Sequence, residues 1–142
     1  MDQFKNAKAY IQLFEEISQE RLIGIETFIS DDIHFKDPFN DLNGIKQFRE
    51  LLVKTLLEVK NPQFNVTHKA WSNGVLFLRW SFNGKVKLLG NWNIEGMSEI
   101  QFDSEGLVNK HIDYWDASEN FYSKLPFVGT VIRIIRKRLQ VL

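Results

Sequence analysis

In the run Ile33-His34-Phe35-Lys36-Asp37-Pro38-Phe39 a carboxylate stands against a proline and an aromatic ring. Successive side chains alternate across a strand, so Ile33, Phe35 and Asp37 share one face. If that face is the apolar one, Asp37 looks into a hydrophobic interior. Desolvation there disfavours the charged form, raises the pKa and makes the carboxyl useful for moving a proton. Asp before Pro is also an ordinary turn starter, and the local sequence by itself favours that reading. A second run, His111-Ile112-Asp113-Tyr114-Trp115-Asp116, puts His111, Asp113 and Trp115 on one strand face. A carboxylate beside an imidazole favours the imidazolium, and the pair can act as a base or hold a water. Hydrophobic patterning reads this strand the other way, with Val108, Ile112 and Tyr114 inward and His111 and Asp113 in solvent.

Other polar residues carry similar alternatives. Arg79 faces a cavity if Val75, Phe77, Arg79 and Ser81 point inward, and could then pair with Asp37 or Asp113. In the opposite register it lies in solvent, with Leu76, Leu78, Trp80 and Phe82 in the core. His68 follows Phe64 and Val66 on an apolar face and reads as a hydrogen-bonded core histidine, while His34 points away from Asp37. Asp116, at a strand end with Glu119 three residues on, reads as a helix cap.

The elements that must position these groups can be read from periodicity. Phe4, Ala7, Tyr10, Ile11, Phe14 and Ile17 recur at helical spacing over residues 4–18. A shorter helix is predicted over about 20–30, a strand over 33–37, and a third helix to about 58, capped by Asn43 and burying Ile45, Phe48, Leu52 and Leu56. From Pro62 the pattern turns to strands: 63–71, 75–82, an irregular region near 86–102 and 107–116. Asn73-Gly74 and Asn83-Gly84 read as tight hairpin turns, and Gly90 and Gly96 as bulges or bends. The order is helix, helix, strand, helix and an antiparallel meander, which implies an α+β domain with helices on one face of a curved sheet. No repeat or linker interrupts it, so residues 1–142 read as one domain.

Composition narrows the classes of function. Eighteen basic and eighteen acidic residues cancel, so no global field points to nucleic acid. With no cysteine and only three histidines, none at ligand spacing, neither thiolate chemistry nor a metal site is expected. No cofactor is called for. Met-Asp-Gln-Phe-Lys leads into no apolar run, so no signal peptide is expected. No uncharged stretch approaches the ~20 residues of a spanning helix, and a soluble cytoplasmic protein is the expectation.

Residues 127–142 differ from the rest. Val128, Val131, Ile132, Ile135, Leu139 and Leu142 form one helical stripe, and Arg133, Arg136, Lys137 and Gln140 the other side. No acidic residue follows Glu119. Such a helix can pack over the body or against a second subunit, the favoured reading, or make weak contact with an anionic membrane surface.

The element order, Asp37-Pro38-Phe39 after the first strand, the segment from Trp92 through Gly96, Ser98, Ile100, Phe102-Asp103 and Gly106, and the closing Asp113-Tyr114-Trp115-Asp116 together resemble the nuclear transport factor two-like superfamily. The match is closest to SnoaL-like bacterial domains and spans about Tyr10 to Leu139. It implies a cone of three N-terminal helices packed on a strongly bent antiparallel sheet, plus a C-terminal helix, with the cone's mouth opening to a ligand cavity. Ketosteroid isomerase, limonene epoxide hydrolase and polyketide cyclases share this fold, so the fold alone does not select an activity. The resemblance places Asp37 at the isomerase's proton-shuttling carboxylate and Tyr10 at its oxyanion-donating tyrosine. Ser98 stands where that enzyme has a second acid donor, a departure that leaves the copied mechanism incomplete. The resemblance also turns His111, Asp113 and Trp115 into the cavity. Asp116 corresponds to the aspartate before the last short helix of cyclase-like members. Arg79 would stand as in the hydrolase's acid–arginine–acid set, although the adjacent acid is not evident.

The implied pocket is lined by Phe35, Asp37, Trp92, Ser98, His111, Asp113 and Trp115, with Arg79 at hand and Tyr10 near its floor. It suits a small lipophilic carbonyl compound and cofactor-free isomerase, cyclase or hydratase chemistry. A non-catalytic binding module is the alternative. With Leu76, Leu78, Trp80, Phe82, Ile112 and Tyr114 displaced to the back of the sheet, a homodimer is expected.

Overall fold

The computed structural model describes residues 2–141. Helix α1 (Gln3–Glu15) begins at Asp2, whose carboxylate accepts from the Phe4 amide at 2.9 Å. It buries Asn6, Ala7, Tyr10, Ile11 and Leu13, the spacing of an amphipathic stripe. The predicted second helix resolves into two 3-10 turns, Glu20–Leu22 and Ile25–Thr27, separated by Gly24 at φ 76°. That left-handed residue cannot continue a right-handed helix.

Strands β1 (Ile29–Lys36) and β2 (Asp41–Asn43) form a hairpin. Helix α2 (Ile45–Glu58) follows Gly44 at φ 92°, which stands at the cap position expected for Asn43; Asn43 instead lies in β2, its amide bound by the Gln47 side chain at 3.0 Å. Then come β3 (Lys60–Ser72), β4 (Val75–Val86), β5 (Gly90–Phe102) and β6 (Val108–Tyr114), paired antiparallel in sequence. The last elements are α3 (Ala117–Asn120), a 3-10 turn at Tyr122–Lys124 and α4 (Val128–Leu139).

The α+β expectation holds, with the strands in one six-stranded sheet of order β2-β1-β6-β5-β4-β3. The sheet carries one parallel junction, β1 with β6, where Phe35 pairs with His111. Of the two predicted Asn-Gly turns, Asn73-Gly74 is real, both residues having positive φ. Asn83-Gly84 is not a turn but continues β4, and the chain reverses only after Val86. Gly84 serves close packing instead, because a Cβ there would collide with Val59 at the end of α2. Gly96 plays the same part. A Cβ there would come within 2.6 Å of the Trp80 ring and 3.1 Å of Trp115.

The core lies between the helices and one sheet face. Leu76, Leu78 and Trp80 are buried on that face, so the register expected to displace them to the back is corrected. The same register sends Arg79 outward to pair with Glu95 at 3.5 Å, away from Asp37 and Asp113. A register shift between Val66 and His68 turns His68 out of the apolar row of Phe64 and Val66, and it is exposed. The back of the sheet still carries Val75, Phe77, Met97, Ile112 and Tyr114, with Met97 and Tyr114 half exposed.

Candidate functional site

Cross-strand pairing assembles the site. Leu78 pairs with Ser98 and Ser98 with Asp113, while Ile100 pairs with His111. Facing residues of adjacent strands lie on the same side of the sheet, so Ser98, His111 and Asp113 all point toward the helices. The interior register of the closing strand is thus the one that the family resemblance implied, and the hydrophobic pattern misassigned it. Tyr10 comes down from α1 to meet them.

The four side chains form one buried network with Trp80. The Tyr10 hydroxyl lies 2.6 Å from His111 Nδ1, and His111 Nε2 lies 2.6 Å from Asp113 Oδ1. Ser98 Oγ–H donates to the same Asp113 oxygen at 2.5 Å, and Trp80 Nε1–H donates to Ser98 Oγ at 2.8 Å. The roles follow from what each group can donate. With Tyr10 donating to Nδ1, the imidazole keeps its proton on Nε2 and gives it to the carboxylate. His111 and Tyr10 are 2 % and 1 % exposed. Burial, and then the negative charge of Asp113, hold the Tyr10 phenol well above its usual pKa, so it remains a donor. Asp113 Oδ2 has no partner among the described residues.

Asp37 takes the turn reading of its sequence. It closes a turn in which Oδ1 accepts from the Phe39 and Asn40 amides, each at 2.7 Å, and from Asn40 Nδ2 at 3.1 Å. It also lines a depression of about 530 Å³ with Lys36, Pro38, Ile112, Asp113, Tyr114, Trp115 and Asp116. Burial raises its pKa; the three donors pull against that, and Asp113 adds to the rise. Oδ2 receives only a 3.2 Å contact from the shared Asn40 amide, so it is the oxygen that can carry a proton.

The expected lining is corrected in part. Phe35 is buried against Phe48 and His111, with ring centroids 5.6 and 4.9 Å apart. Ser98 and His111 are buried and do not border the depression, and both Ser98 and Tyr10 direct their hydroxyl protons to internal acceptors. Neither is placed to donate to a ligand oxygen. Trp92 packs behind Trp115 and Phe121, its Nε1 bound to the Asn120 carbonyl at 2.8 Å. Aromatic rings pack through the cone's interior, Tyr10, Phe14, Phe35 and Phe48 among them, and the depression lies at the strand ends, where Lys36, Ile112 and Tyr114 border it from the back of the sheet. Asp116 caps α3 through the Glu119 amide at 3.0 Å, as expected, and also borders the depression.

Two participants escaped the sequence reading. Bulk alone marks Trp80 as a core residue and gives no sign of its hydrogen bond to Ser98, while Asn40 carries a readable signal in its place three residues after Asp37, which suits a side-chain turn. No group of His, Asp or Glu among the described residues has the arrangement of a metal site. No helix among them is long and apolar enough to cross a membrane.

A family model described as "Uncharacterized conserved protein (DUF2358)" matches residues 8–111. No curated protein matches the chain in sequence. Solved structures show the same fold. An M. tuberculosis LEH-like epoxide hydrolase is 12% identical with a TM-score of 0.67, covering 94% of this chain and 91% of its own. A Catenulispora acidiphila protein with a ketosteroid isomerase-like fold, solved with trimethylamine, is 12% identical with a TM-score of 0.69, covering 85% and 92%. An NTF2-like protein of unknown function from Exiguobacterium is 14% identical with a TM-score of 0.68, covering 78% and 98%. The fold is therefore NTF2-like, the nuclear transport factor two-like cone.

Proposed function

The chain belongs to the DUF2358 family and is built on the NTF2-like cone, and we propose that its mouth is a cofactor-free acid–base site for a small lipophilic carbonyl compound. One observation carries the reading: two carboxyls, Asp37 and Asp113, line one depression in unlike surroundings. Asp37 is pushed toward its protonated form, chiefly by burial. Asp113 instead takes two hydrogen bonds at Oδ1, from Ser98 and His111, which leaves Oδ2 as its free acceptor. Unequal neighbours of this kind divide acid from base.

In the proposed step, Asp113 Oδ2 takes a proton from the carbon beside the carbonyl. The carbonyl oxygen receives the proton of Asp37, giving an enol, a protonated Asp113 and an ionised Asp37. Where the carbonyl compound carries a β,γ double bond the enol is a dienol, and return of the Asp113 proton to its γ carbon, with Asp37 recovering the enol proton, moves the double bond into conjugation and restores both carboxyls. Ser98 and His111 orient the base, while Tyr10 fixes the imidazole tautomer. Pro38 and Trp115 offer the apolar walls. An LEH-like epoxide hydrolase shares this fold, which supports an enzymatic reading.

Thermal-shift screening of lipophilic carbonyl compounds, followed by turnover assays on each hit, tests the reading. A native-state ligand must raise apparent stability. Hits that neither react nor lose affinity in Asp37→Asn and Asp113→Asn would leave a binding module in place of the enzyme. A homodimer through the back of the sheet, around Phe77, Met97, Ile112 and Tyr114, is proposed alongside.

A further inference from the structure

Helix α4 touches the rest of the protein with the wrong side for a packed amphipathic helix. Its one substantial neighbour is the 3-10 turn Tyr122–Lys124. The contact is made by Gly129, where a Cβ would collide with the Ser123 carbonyl, and by Arg133, whose Nη1 donates to that carbonyl at 2.6 Å. At 100° per residue, Val128, Val131, Ile135 and Leu139 lie on a different face. That face is mostly uncovered: Val131 is 56 %, Ile135 52 % and Leu139 79 % exposed, and only Ile132, on the edge nearer the contact, is half-buried. Phe127, just before the helix, sits at φ 63° with its ring 88 % exposed. A bulky residue at positive φ is strained, so the chain spends strain on presenting an aromatic ring to solvent. Of the favoured expectation, packing over the body or against a second subunit, the first half is corrected.

Charge indicates what covers this face. Arg136 and Arg138 flank the apolar stripe on its two sides, Lys137 lies behind it, and no acidic residue occurs after Glu119. Long basic side chains beside an apolar stripe can reach around it to a negatively charged plane. A partner helix would need only the stripe, whereas an anionic bilayer satisfies the stripe and the cations together. We propose that α4 and Phe127 form a membrane-surface anchor, laying Val128, Val131, Ile135 and Leu139 into the headgroup boundary of an anionic bilayer.

The experiment is flotation of the full chain with vesicles of phosphatidylcholine alone or mixed with an equal part of phosphatidylglycerol. The expected result is at least about tenfold more bound protein on the anionic vesicles, most of it released when salt rises from about 0.05 to about 0.5 M. Val131→Asp/Ile135→Asp and Arg136→Glu/Arg138→Glu should each lower binding about tenfold or more while leaving the body's thermal transition unchanged, since all four side chains are exposed. No flotation with either vesicle, or equal binding to both, overturns the anchor. So does a wild-type chain that ignores vesicles but forms an oligomer which Val131→Asp/Ile135→Asp dissociates, because a second copy then covers the stripe.

Discussion

The hydroxyl of Tyr10 meets Nδ1 of His111 at 2.6 Å, joining the first helix to the last strand through a hydrogen bond at which neither residue is open to water. The opposite ring nitrogen is thereby committed to Asp113, and an interior bond on α1 decides the electrostatics of a carboxylate at the mouth. His111→Ala should expose this dependence. It leaves the Tyr10 donor unpaired and removes one of the two donors to Asp113, at a cost of about 2–5 kcal/mol. Urea unfolding measures it; a loss under about 0.5 kcal/mol would mean the network adds nothing.

Ser98→Ala should cost about 1–3 kcal/mol, since it strips a donor from Asp113 and leaves Trp80 Nε1 without its acceptor. A double-mutant cycle with Asp113→Asn separates the two effects. Non-additivity above about 0.5 kcal/mol is the expected sign of direct coupling.

Asp37→Asn should lower turnover of an identified substrate by about 10²–10⁴-fold, with affinity held within about tenfold. Asn keeps an oxygen for the Phe39 and Asn40 amides, so the turn survives. Retained turnover would remove Asp37 from the acid role.

The raised pKa of Asp37 fixes a sign for stability. The folded state holds this proton more tightly than the unfolded state, whose carboxyl stays near 3.8. Between that value and the higher folded value the native chain binds more protons, so this residue's contribution declines as pH rises. Its unfavourable effect is absent below the unfolded pKa and complete above the folded one. Asp37→Asn removes the titration, so thermal melts should show the variant gaining on the wild type across that window. A difference independent of pH would contradict the burial argument.

Gly96→Ala should destabilise by about 1–3 kcal/mol through overpacking against Trp80. Trp80→Phe in the same chain should recover part of the loss if crowding is the cause. Equal losses in both backgrounds, read by urea denaturation, would point elsewhere.

Close approaches of this kind separate what the sequence reveals from what only the fold does. Helical stripes such as Tyr10–Phe14 and Phe48–Leu52, and the Asn73-Gly74 turn, are local signals and were legible. Asn83-Gly84 has the same dipeptide signature, but Gly84 answers to Val59 across the fold, a contact no local window contains. The face of Arg79 was likewise set by its neighbour strands, since Leu78, Ser98 and Asp113 must share one side of the sheet. At the site, Asp37, His111 and Asp113 are legible as candidates in the chain's own pattern, whereas Ser98 and Tyr10 enter only through the family resemblance. What could not be read was that Ser98 and Tyr10 direct their protons inward, because hydrogen-bond direction depends on partners brought together only by folding.

The parallel junction of β1 with β6 has a kinetic consequence. β3, β4 and β5 are joined by short reversals and can zip locally, whereas Phe35 finds His111 only after the whole meander has been threaded. Pairings of that separation carry the largest loop-closure cost and form slowly. Asp37 follows the end of one of those strands and Asp113 lies on the other, so the two carboxyls become neighbours in the final docking event. A partly folded chain can therefore possess most of its sheet and none of its site.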